Sequence, residues 1–222
     1  MKTLIVAATM WLAIGQLWGQ VNSPIERGYL ITKSYDTVKG EFFYKRTRAL
    51  YREAKFKEEG GSYFYTVTPK SVEGFFLSES NRLFLSKNKF EEQEGAKHNF
   101  LQAISVGELT LLTGLNDSRK QTYWAIKNER LVPLEKGSTK TITIAGNNFK
   151  VKTRPYLNAL SELTNDCPGD SGKYELNFHQ LKKRGVSYAN CKGTGLRSYT
   201  GEASHFHWND CRGLEYPIDF LG

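Results

Sequence analysis

The stretch "GYLITKSYDTVKGEFFYK", residues 28–45, consists of two runs of strand-forming residues on either side of Tyr35-Asp36. Tyr, Ile, Val, Thr and Phe favour pleated strands, and a short polar segment between two such runs marks a turn. The stretch therefore predicts an antiparallel β-hairpin. Comparable runs recur as far as Thr153, so this hairpin sets the pattern for most of the chain.

The runs that follow are short and are separated by turn residues such as Ser80-Asn81, Asn116-Asp117 and Asn128-Glu129. They are ALYREAKFK (49–57), SYFYTVTP (62–69), EGFFLSES (73–80), RLFLSK (82–87), FLQAISV (100–106), ELTLLTG (108–114), QTYWAIK (121–127), RLVPL (130–134), KTITIA (140–145) and FKVKT (149–153). The polar stretch 88–99 is interpreted as a loop, and "ITIAGNNFKV" (142–151) as the clearest hairpin. Many short strands with short turns predict an antiparallel sheet, sandwich or barrel-like body.

At Arg154 the spacing of the apolar residues changes to that of helices. Residues 154–167 carry apolar side chains at helical spacing after Pro155, which suits a first helical turn. A second set, Tyr174, Phe178 and Leu181, predicts another helix that ends at Gly185. The expected fold class is α+β. It comprises a β-rich domain over 20–153, a two-helix segment over 154–191 packed on it, and an irregular tail over 192–222.

The amino terminus has the features of a secretory signal peptide. Lys2 is followed by an apolar stretch too short to span a bilayer, and Gly19 precedes a plausible cleavage point. Residues 1–19 are therefore expected to direct export to the periplasm, the outer membrane or the medium. No other segment is long and apolar enough to cross a membrane.

The formal net charge of +8 narrows the class of partner. Basic residues cluster in 45–57 and in Lys182–Arg184, and a basic face suits nucleic acid, anionic head groups or acidic glycans. Export argues against nucleic acid. Glutamates are interleaved with the basic residues throughout, so a solvated face of mixed charge is the alternative.

Three cysteines, Cys167, Cys191 and Cys211, predict one disulfide and one further thiol in an exported chain. Cys167 and Cys191 bracket the second predicted helix, which favours pairing them. Cys191 with Cys211 is the rival pairing. Closing the first loop would stabilise the fold by roughly 3 kcal/mol in the loop-entropy model.

The heptapeptide "CPGDSGK", residues 167–173, is similar to the nucleophile turn of trypsin-type serine proteases. That turn continues Gly-Pro, whereas here Lys173 follows Gly172 and a helical pattern begins. Asp170 or Ser171 is therefore interpreted as the cap of a helix and not as a nucleophile. A catalytic triad of this type requires a histidine earlier in the chain, and the only histidine before Ser171 is His98, in the charged loop. No catalytic residue and no cofactor is assigned.

The segment "SHFHWNDC", residues 204–211, is a candidate metal site. His205 and His207 lie on one side of an extended strand, and Cys211 follows four residues later, so three ligands for zinc or copper are available. The alternative is a tail with two surface histidines and a cysteine that is free or oxidised. A disulfide at Cys211 would remove the site.

Several motifs occur in an order that resembles a group of uncharacterised secreted proteins of the Gram-negative envelope. Gly28-Tyr29, Asp36-Thr37 and Lys39-Gly40 match their G-Y-I…G-D-T-I-K-G opening, with Tyr35 in place of a glycine. The runs 65–77 and 100–112 resemble two internal elements, with Ser71 replacing an aspartate in the first. A closing D-C-P and Y-N-x-C pattern is matched by the residues Asp166, Cys167, Pro168, Tyr188, Asn190 and Cys191, with an alanine inserted after the tyrosine. The resemblance implies an envelope protein with a β-rich body and a closing helical pair, and it implies no activity.

The sequence thus favours an exported, non-enzymatic binding or scaffolding protein of the bacterial cell envelope. Its expected partner is an envelope protein or an acidic glycan. Two other hypotheses stay open. One is an envelope hydrolase whose site lies on strand residues, and the other is a periplasmic metal binder that uses the histidine and cysteine cluster of the tail.

Overall fold

The computed structural model describes residues 25–86, 99–145, 147–167 and 174–200. The expected signal peptide (1–19), most of the expected loop (88–99) and most of the expected tail (192–222) lie outside these ranges.

The first part of the chain forms a meander of antiparallel strands. Its elements are β1 (Ile25–Ile31), β2 (Thr37–Phe43), a 3-10 helix (Thr47–Tyr51), β3 (Ala54–Glu58) and β4 (Tyr65–Val67). The predicted hairpin at 28–45 is confirmed, because β1 and β2 pair with Gly28 opposite Gly40. The prediction of one extended run over 49–57 is partly wrong. Leu50 and Tyr51 belong to the 3-10 helix, where burial of both side chains outweighs the strand pattern.

A second meander follows and uses the other predicted runs almost as they stand. Its strands are β5 (Gly74–Leu77), β6 (Arg82–Ser86), β7 (Phe100–Val106), β8 (Thr110–Leu115), β9 (Gln121–Lys127) and β10 (Arg130–Leu134). The predicted turn at Asn128-Glu129 is a two-residue connection, with Lys127 paired to Arg130 and φ values of 49° and 62°. Both residues therefore adopt the left-handed conformation that such hairpin turns require.

The two meanders form one antiparallel sheet in the order β10-β9-β8-β7-β6-β5-β1-β2-β3-β4, and a short β13 (Arg197–Ser198) pairs with β7. The meanders join where β1 pairs with β5, over residues 28–31 and 74–77. Within the described ranges β4 and β10 are the sheet edges, and Pro133 lies on the β10 edge, where the missing N–H breaks no ladder. The expected α+β class with a mainly antiparallel body is confirmed.

Two apolar clusters account for most of the core. The first lies beneath β1 to β7 and contains stacked or edge-on aromatic rings, among them Phe42, Phe75, Phe84 and Phe100. The second lies between β7 to β10 and the helices, and includes Ile104, Leu111 and Leu181. Because inward and outward side chains alternate along each strand, the opposite face of β1 to β3 is left for other groups.

Two helices follow the strands: α1 (Pro155–Leu163) packs on β10, and α2 (Phe178–Lys192) packs on β7 and β8. Pro155 occupies the first turn of α1, as expected. The predicted end of the second helix at Gly185 is wrong. Gly185 lies buried inside α2, and the helix continues to the left-handed Gly193. None of the helices in the described part of the chain is long and apolar enough to cross a bilayer.

The start of α2 also differs from the prediction. Its N-cap is Asn177, whose side chain accepts a hydrogen bond from the backbone N–H of Gln180 at 2.9 Å. The cap of this helix is therefore not Asp170 or Ser171. Both of those residues lie in 168–173, outside the described ranges.

A separate hairpin precedes the helices. Strands β11 (Thr139–Ile144) and β12 (Asn147–Lys152) pair with each other and with no other described strand, and their residues are exposed on both faces. The predicted hairpin at 142–151 is confirmed. Its register places Ile142 opposite Phe149.

Candidate functional site

A polar groove lies on the face of β1, β2 and β3 that points away from the Phe42 cluster. Its volume is about 650 Å³. Its walls come from these three strands, from the turn after β3 and from the end of β5: Arg27, Gly28, Tyr29, Lys39, Gly40, Glu41, Lys57, Glu58, Glu59, Gly60, Gly61 and Ser78. The groove therefore contains four of the residues in the opening motif, Gly28-Tyr29 and Lys39-Gly40.

The two motif glycines bring neighbouring strands close together. A Cβ at Gly28 would lie 1.9 Å from the carbonyl oxygen of Phe76, and a Cβ at Gly40 would lie 2.2 Å from that of Lys57. Any side chain at either position would collide with backbone. Glycine is thus required for the close approach of these strands.

One aromatic side chain, that of Tyr29, lies among the basic side chains of the groove. Tyr29 pairs across the sheet with Phe76 on one side and with Lys39 on the other. The Tyr29 and Phe76 rings are 6.2 Å apart and nearly parallel, at 15°. Arg27, two residues from Tyr29, faces Glu41 in the register. The groove therefore offers the Tyr29 ring, which is backed by Phe76 and flanked by two cations.

The charges of the groove are only partly matched. Lys57 pairs with Glu41 at 2.8 Å, and this hydrogen bond lowers the pKa of Glu41, with Arg27 adding to the effect. Arg27 and Lys39 have no ion pair with another described residue. Two cations are thus available for an anionic ligand, whose carboxylate or sulfate oxygens would accept their N–H groups.

A second polar cluster lies inside the sheet at the ends of β1, β2 and β6. The guanidinium of Arg82 donates to Glu26 at 3.3 Å, to the Tyr44 hydroxyl at 2.8 Å and to Ser80 Oγ at 2.8 Å. Tyr44 and Ser80 both donate to the Glu26 carboxylate. The Thr200 hydroxyl donates to the Ser80 carbonyl and ties the end of the described chain to this cluster.

The contacts of this buried cluster indicate that it stabilises the fold. Burial and the hydrogen bond to Glu26 raise the pKa of Tyr44 to about 12, so the phenol stays protonated and donates. The residues Glu26, Arg82 and Tyr44 are each less than a tenth exposed, and their side chains hydrogen-bond to one another. A buried pair of this kind is costly to break, and its groups are engaged with each other.

A third cluster fixes the helices to the sheet. Lys127 at the end of β9 donates to Asp166 at 2.9 Å, and Lys192 on α2 donates to the same carboxylate at 3.1 Å. The Tyr188 hydroxyl donates to Glu108 at 2.9 Å and also reaches Asp166. These contacts join the β7–β8 turn, β9, the segment after α1 and the end of α2.

The protonation states of this cluster follow from its contacts. The hydrogen bond from Lys127 holds the pKa of Asp166 well below its usual range, against the opposing effect of burial, and Lys192 and Tyr188 add to it. Burial lowers the pKa of Lys127, but its bonds to Asp166 and Tyr188 outweigh that and the net shift is upward. Burial, the largest cause, raises the pKa of Tyr188. Asp166, Lys127 and Tyr188 therefore keep their neutral-pH protonation states over a wider pH range than free side chains do.

The predicted disulfide between Cys167 and Cys191 is present, with Cα atoms 6.2 Å apart. It directly adjoins Asp166, and with Tyr188 it gathers four residues of the closing motif in one place. The rival pairing of Cys191 with Cys211 is thereby excluded.

The candidate metal ligands His205, His207 and Cys211 lie outside the described residues, as do Asp170 and Ser171. Within the described ranges, no group of three His, Cys, Asp or Glu side chains is placed to hold a metal ion.

The sequence did not single out Arg27 or Lys57 in the groove, or Glu26 and Arg82 in the buried cluster. One signal for the second pair was available. Glu26 shares the inward register of Leu30, and Arg82 shares that of Phe84. A charge at an inward position indicates a buried partner, but one sequence does not tell which strand supplies it.

Comparisons with protein families, with curated proteins and with solved structures found no match to this chain.

Proposed function

We propose that the protein is an exported, non-enzymatic binding or scaffolding protein of the bacterial cell envelope, and that the groove on β1 to β3 binds an acidic glycan. The observation that carries the proposal is the stacked pair of Tyr29 and Phe76 beside two cations without ion-pair partners in the described chain, Arg27 and Lys39. A sugar ring packs on an aromatic face, while its carboxylate or sulfate pairs with the cations.

Two further observations support the proposal. The groove is mainly polar, as suits a ligand rich in hydroxyl groups, whose partners must be hydrogen-bonding side chains and backbone. The Cys167–Cys191 disulfide suits an oxidising compartment outside the cytoplasm, in agreement with the expected signal peptide over 1–19.

Titration calorimetry with uronic-acid oligosaccharides and with neutral oligosaccharides of equal length tests the ligand class. We expect the acidic chains alone to bind, and to be recovered at unchanged length. Arg27→Gln/Lys39→Gln should weaken binding at least tenfold, since each charge-assisted bond contributes about 1.5–3 kcal/mol. Tyr29→Leu should weaken it several-fold through loss of the ring face.

The matched control is Lys120→Gln/Arg130→Gln, which removes the same charge from exposed positions on the second meander. It should leave the affinity unchanged at fixed salt. Equal losses in the two double variants would show that net charge and not the groove drives binding, and shortened oligosaccharides would contradict the non-enzymatic function. Separation of periplasm from cytoplasm tests export independently of the ligand.

A further inference from the structure

The hairpin of β11 and β12 has one apolar face that nothing in the described chain covers. Four large side chains on this face are half exposed: Ile142 41%, Ile144 58%, Phe149 48% and Val151 41%. The register puts them together, because Ile142 faces Phe149 and Lys140 faces Val151. Lys140 and Asn147 share the apolar face at its two ends, and alternation places the other residues, threonines, Asn148, Lys150 and Lys152, on the opposite face. The hairpin is therefore amphipathic across its thickness.

The hairpin is held by its base. The Ser138 N–H donates to Thr153 Oγ1 at 3.0 Å, and the Thr153 N–H donates to the Ser138 carbonyl at 2.9 Å. At the neighbouring position, a Cβ on Gly137 would lie 1.6 Å from the Thr153 carbonyl oxygen, so the two chain segments meet closely. The apolar face is thus presented on a closed stem.

The charge of this segment is of one sign. Residues 136–154 contain five basic side chains, Lys136, Lys140, Lys150, Lys152 and Arg154, and no aspartate or glutamate. This contrasts with the groove, where acids and bases mix. A partner that binds the apolar face is therefore surrounded by five positive charges, which favours a partner of negative charge.

Charge and size argue against a second copy as the occupant. Two hairpins packed face to face would bring two sets of like charges together, which is unfavourable. Four half-exposed side chains also supply a few hundred Å², whereas each partner of a stable dimer buries about 800 Å². An anionic lipid surface suits both the positive charge of the hairpin and the small size of its apolar face. It accepts apolar side chains at the boundary of head groups and acyl chains, and its negative potential attracts the surrounding lysines.

We propose that the β11–β12 hairpin docks on an anionic lipid surface, with Ile142, Ile144, Phe149 and Val151 entering the head-group boundary. The stem of Lys140, which shares this face, then lies along the apolar surface while its ammonium group reaches the phosphates, and Lys150 and Lys152 on the opposite face add to the positive potential. This surface shares no residue with the groove, so the proposal goes beyond the glycan-binding function and stands or fails separately from it.

Sedimentation of the full chain with vesicles tests the proposal. The two compositions are phosphatidylglycerol mixed with phosphatidylcholine, and phosphatidylcholine alone. We expect at least tenfold stronger partitioning into the anionic vesicles, and a marked loss of binding between 50 mM and 500 mM NaCl as charges are screened. Equal partitioning into both compositions, or no partitioning into either, would overturn it.

Variants then place the contact. Ile144→Ser/Phe149→Ser should reduce partitioning at least tenfold, while Thr141→Asn on the opposite face should leave it unchanged. Lys150→Gln/Lys152→Gln retains every apolar side chain and should weaken binding to anionic vesicles several-fold, whereas Lys120→Gln/Arg130→Gln should have a much smaller effect. The lysine variant keeps the test decisive if the serine variant disturbs the hairpin.

Fluorescence and sedimentation velocity distinguish a lipid surface from a second copy of the chain. Phe149→Trp should add a fluorescence component, relative to wild type, that shifts to the blue on anionic vesicles only. Sedimentation velocity without lipid should show a monomer at micromolar concentration. A dimer that is lost in Ile144→Ser/Phe149→Ser would show that a second copy occupies the face and would overturn the lipid assignment.

Discussion

Replacing Gly185 by alanine tests how α2 packs on the sheet. A Cβ at this position would lie 2.6 Å from Ser105 Oγ, with Leu111 Cδ1 and Ser105 Cβ next at 3.4 Å. Alanine gains about 1 kcal/mol of helix propensity over glycine, but crowding of a packed core costs typically 1–3 kcal/mol. We therefore expect Gly185→Ala alone to lower the free energy of unfolding by about 1 kcal/mol.

Removing the crowding atom should reverse the sign. Ser105 follows a register shift in the pairing of β7 with β8, which turns its side chain toward α2. Its Oγ is buried and has no hydrogen-bond partner among the described residues, so Ser105→Ala alone should be neutral or slightly stabilising. In that background the nearest atoms to a Cβ at 185 lie at 3.4 Å, an ordinary contact. Gly185→Ala should then raise the free energy of unfolding by about 1 kcal/mol.

Urea denaturation of the wild type, both single variants and the double variant at pH 7 measures the cycle. The expected interaction energy is about 2 kcal/mol, well above the roughly 0.5 kcal/mol by which independent sites deviate from additivity. If Gly185→Ala changes the free energy of unfolding equally in both backgrounds, contact with the Ser105 hydroxyl is not the reason for glycine at this position.

Glu129→Gly should raise the free energy of unfolding by about 0.5 kcal/mol, because the left-handed strain of about 1–2 kcal/mol that it relieves exceeds the entropy cost of glycine; an unchanged urea midpoint would contradict this. Arg82→Met should lower stability by about 3 kcal/mol, since it leaves the Glu26 carboxylate buried without its cation, and Glu26→Gln added to it should restore part of the loss in the same assay. The pKa of Asp166 is lowered on folding, so its contribution is present above the unfolded value near 4 and is lost as pH falls through the lower folded value. Asp166→Asn should therefore reduce the urea midpoint at pH 7 and flatten its decline below about pH 4; a decline as steep as in wild type would place the acid sensitivity elsewhere.

The strands were predictable because the two signals that mark them, apolar runs and the turn residues between the runs, are both local in the sequence. Alternating or continuous apolar runs such as 100–106 and 121–127 became β7 and β9 with the same bounds, and the turn residues between runs became turns. Leu50 and Tyr51 are buried by a 3-10 helix and not by a strand, so the spacing of apolar residues alone predicted a strand there wrongly. Strand order was not predictable, since pairing of β1 with β5 depends on contacts that no local pattern contains.

The limits of α2 were mispredicted for a physical reason. Glycine usually ends a helix because it adopts the left-handed conformation at little cost, and Gly193 does so here. Gly185 serves another need, since the helix lies so close to β7 that no Cβ fits without movement. Local sequence does not distinguish a glycine that ends a helix from one that lets a helix approach a sheet.

The candidate sites were predictable to different degrees. Cysteine spacing gave the Cys167–Cys191 bridge correctly. The groove and the Asp166 cluster depend on charges from distant strands, such as Lys57 opposite Glu41, and these meet only after the sheet has formed.

The joint between β1 and β5 also bears on how the protein folds. Among β1 to β10 every other neighbouring pair is consecutive along the chain, so each can close a short loop within microseconds. The joint instead links Ile31 to Gly74, about 40 residues away, and must overcome a larger loss of chain entropy. Contacts of long sequence separation slow folding. We therefore expect pairing of β1 with β5, where Leu30 lies opposite Phe75, to limit the folding rate. The hairpins on either side should form before this step.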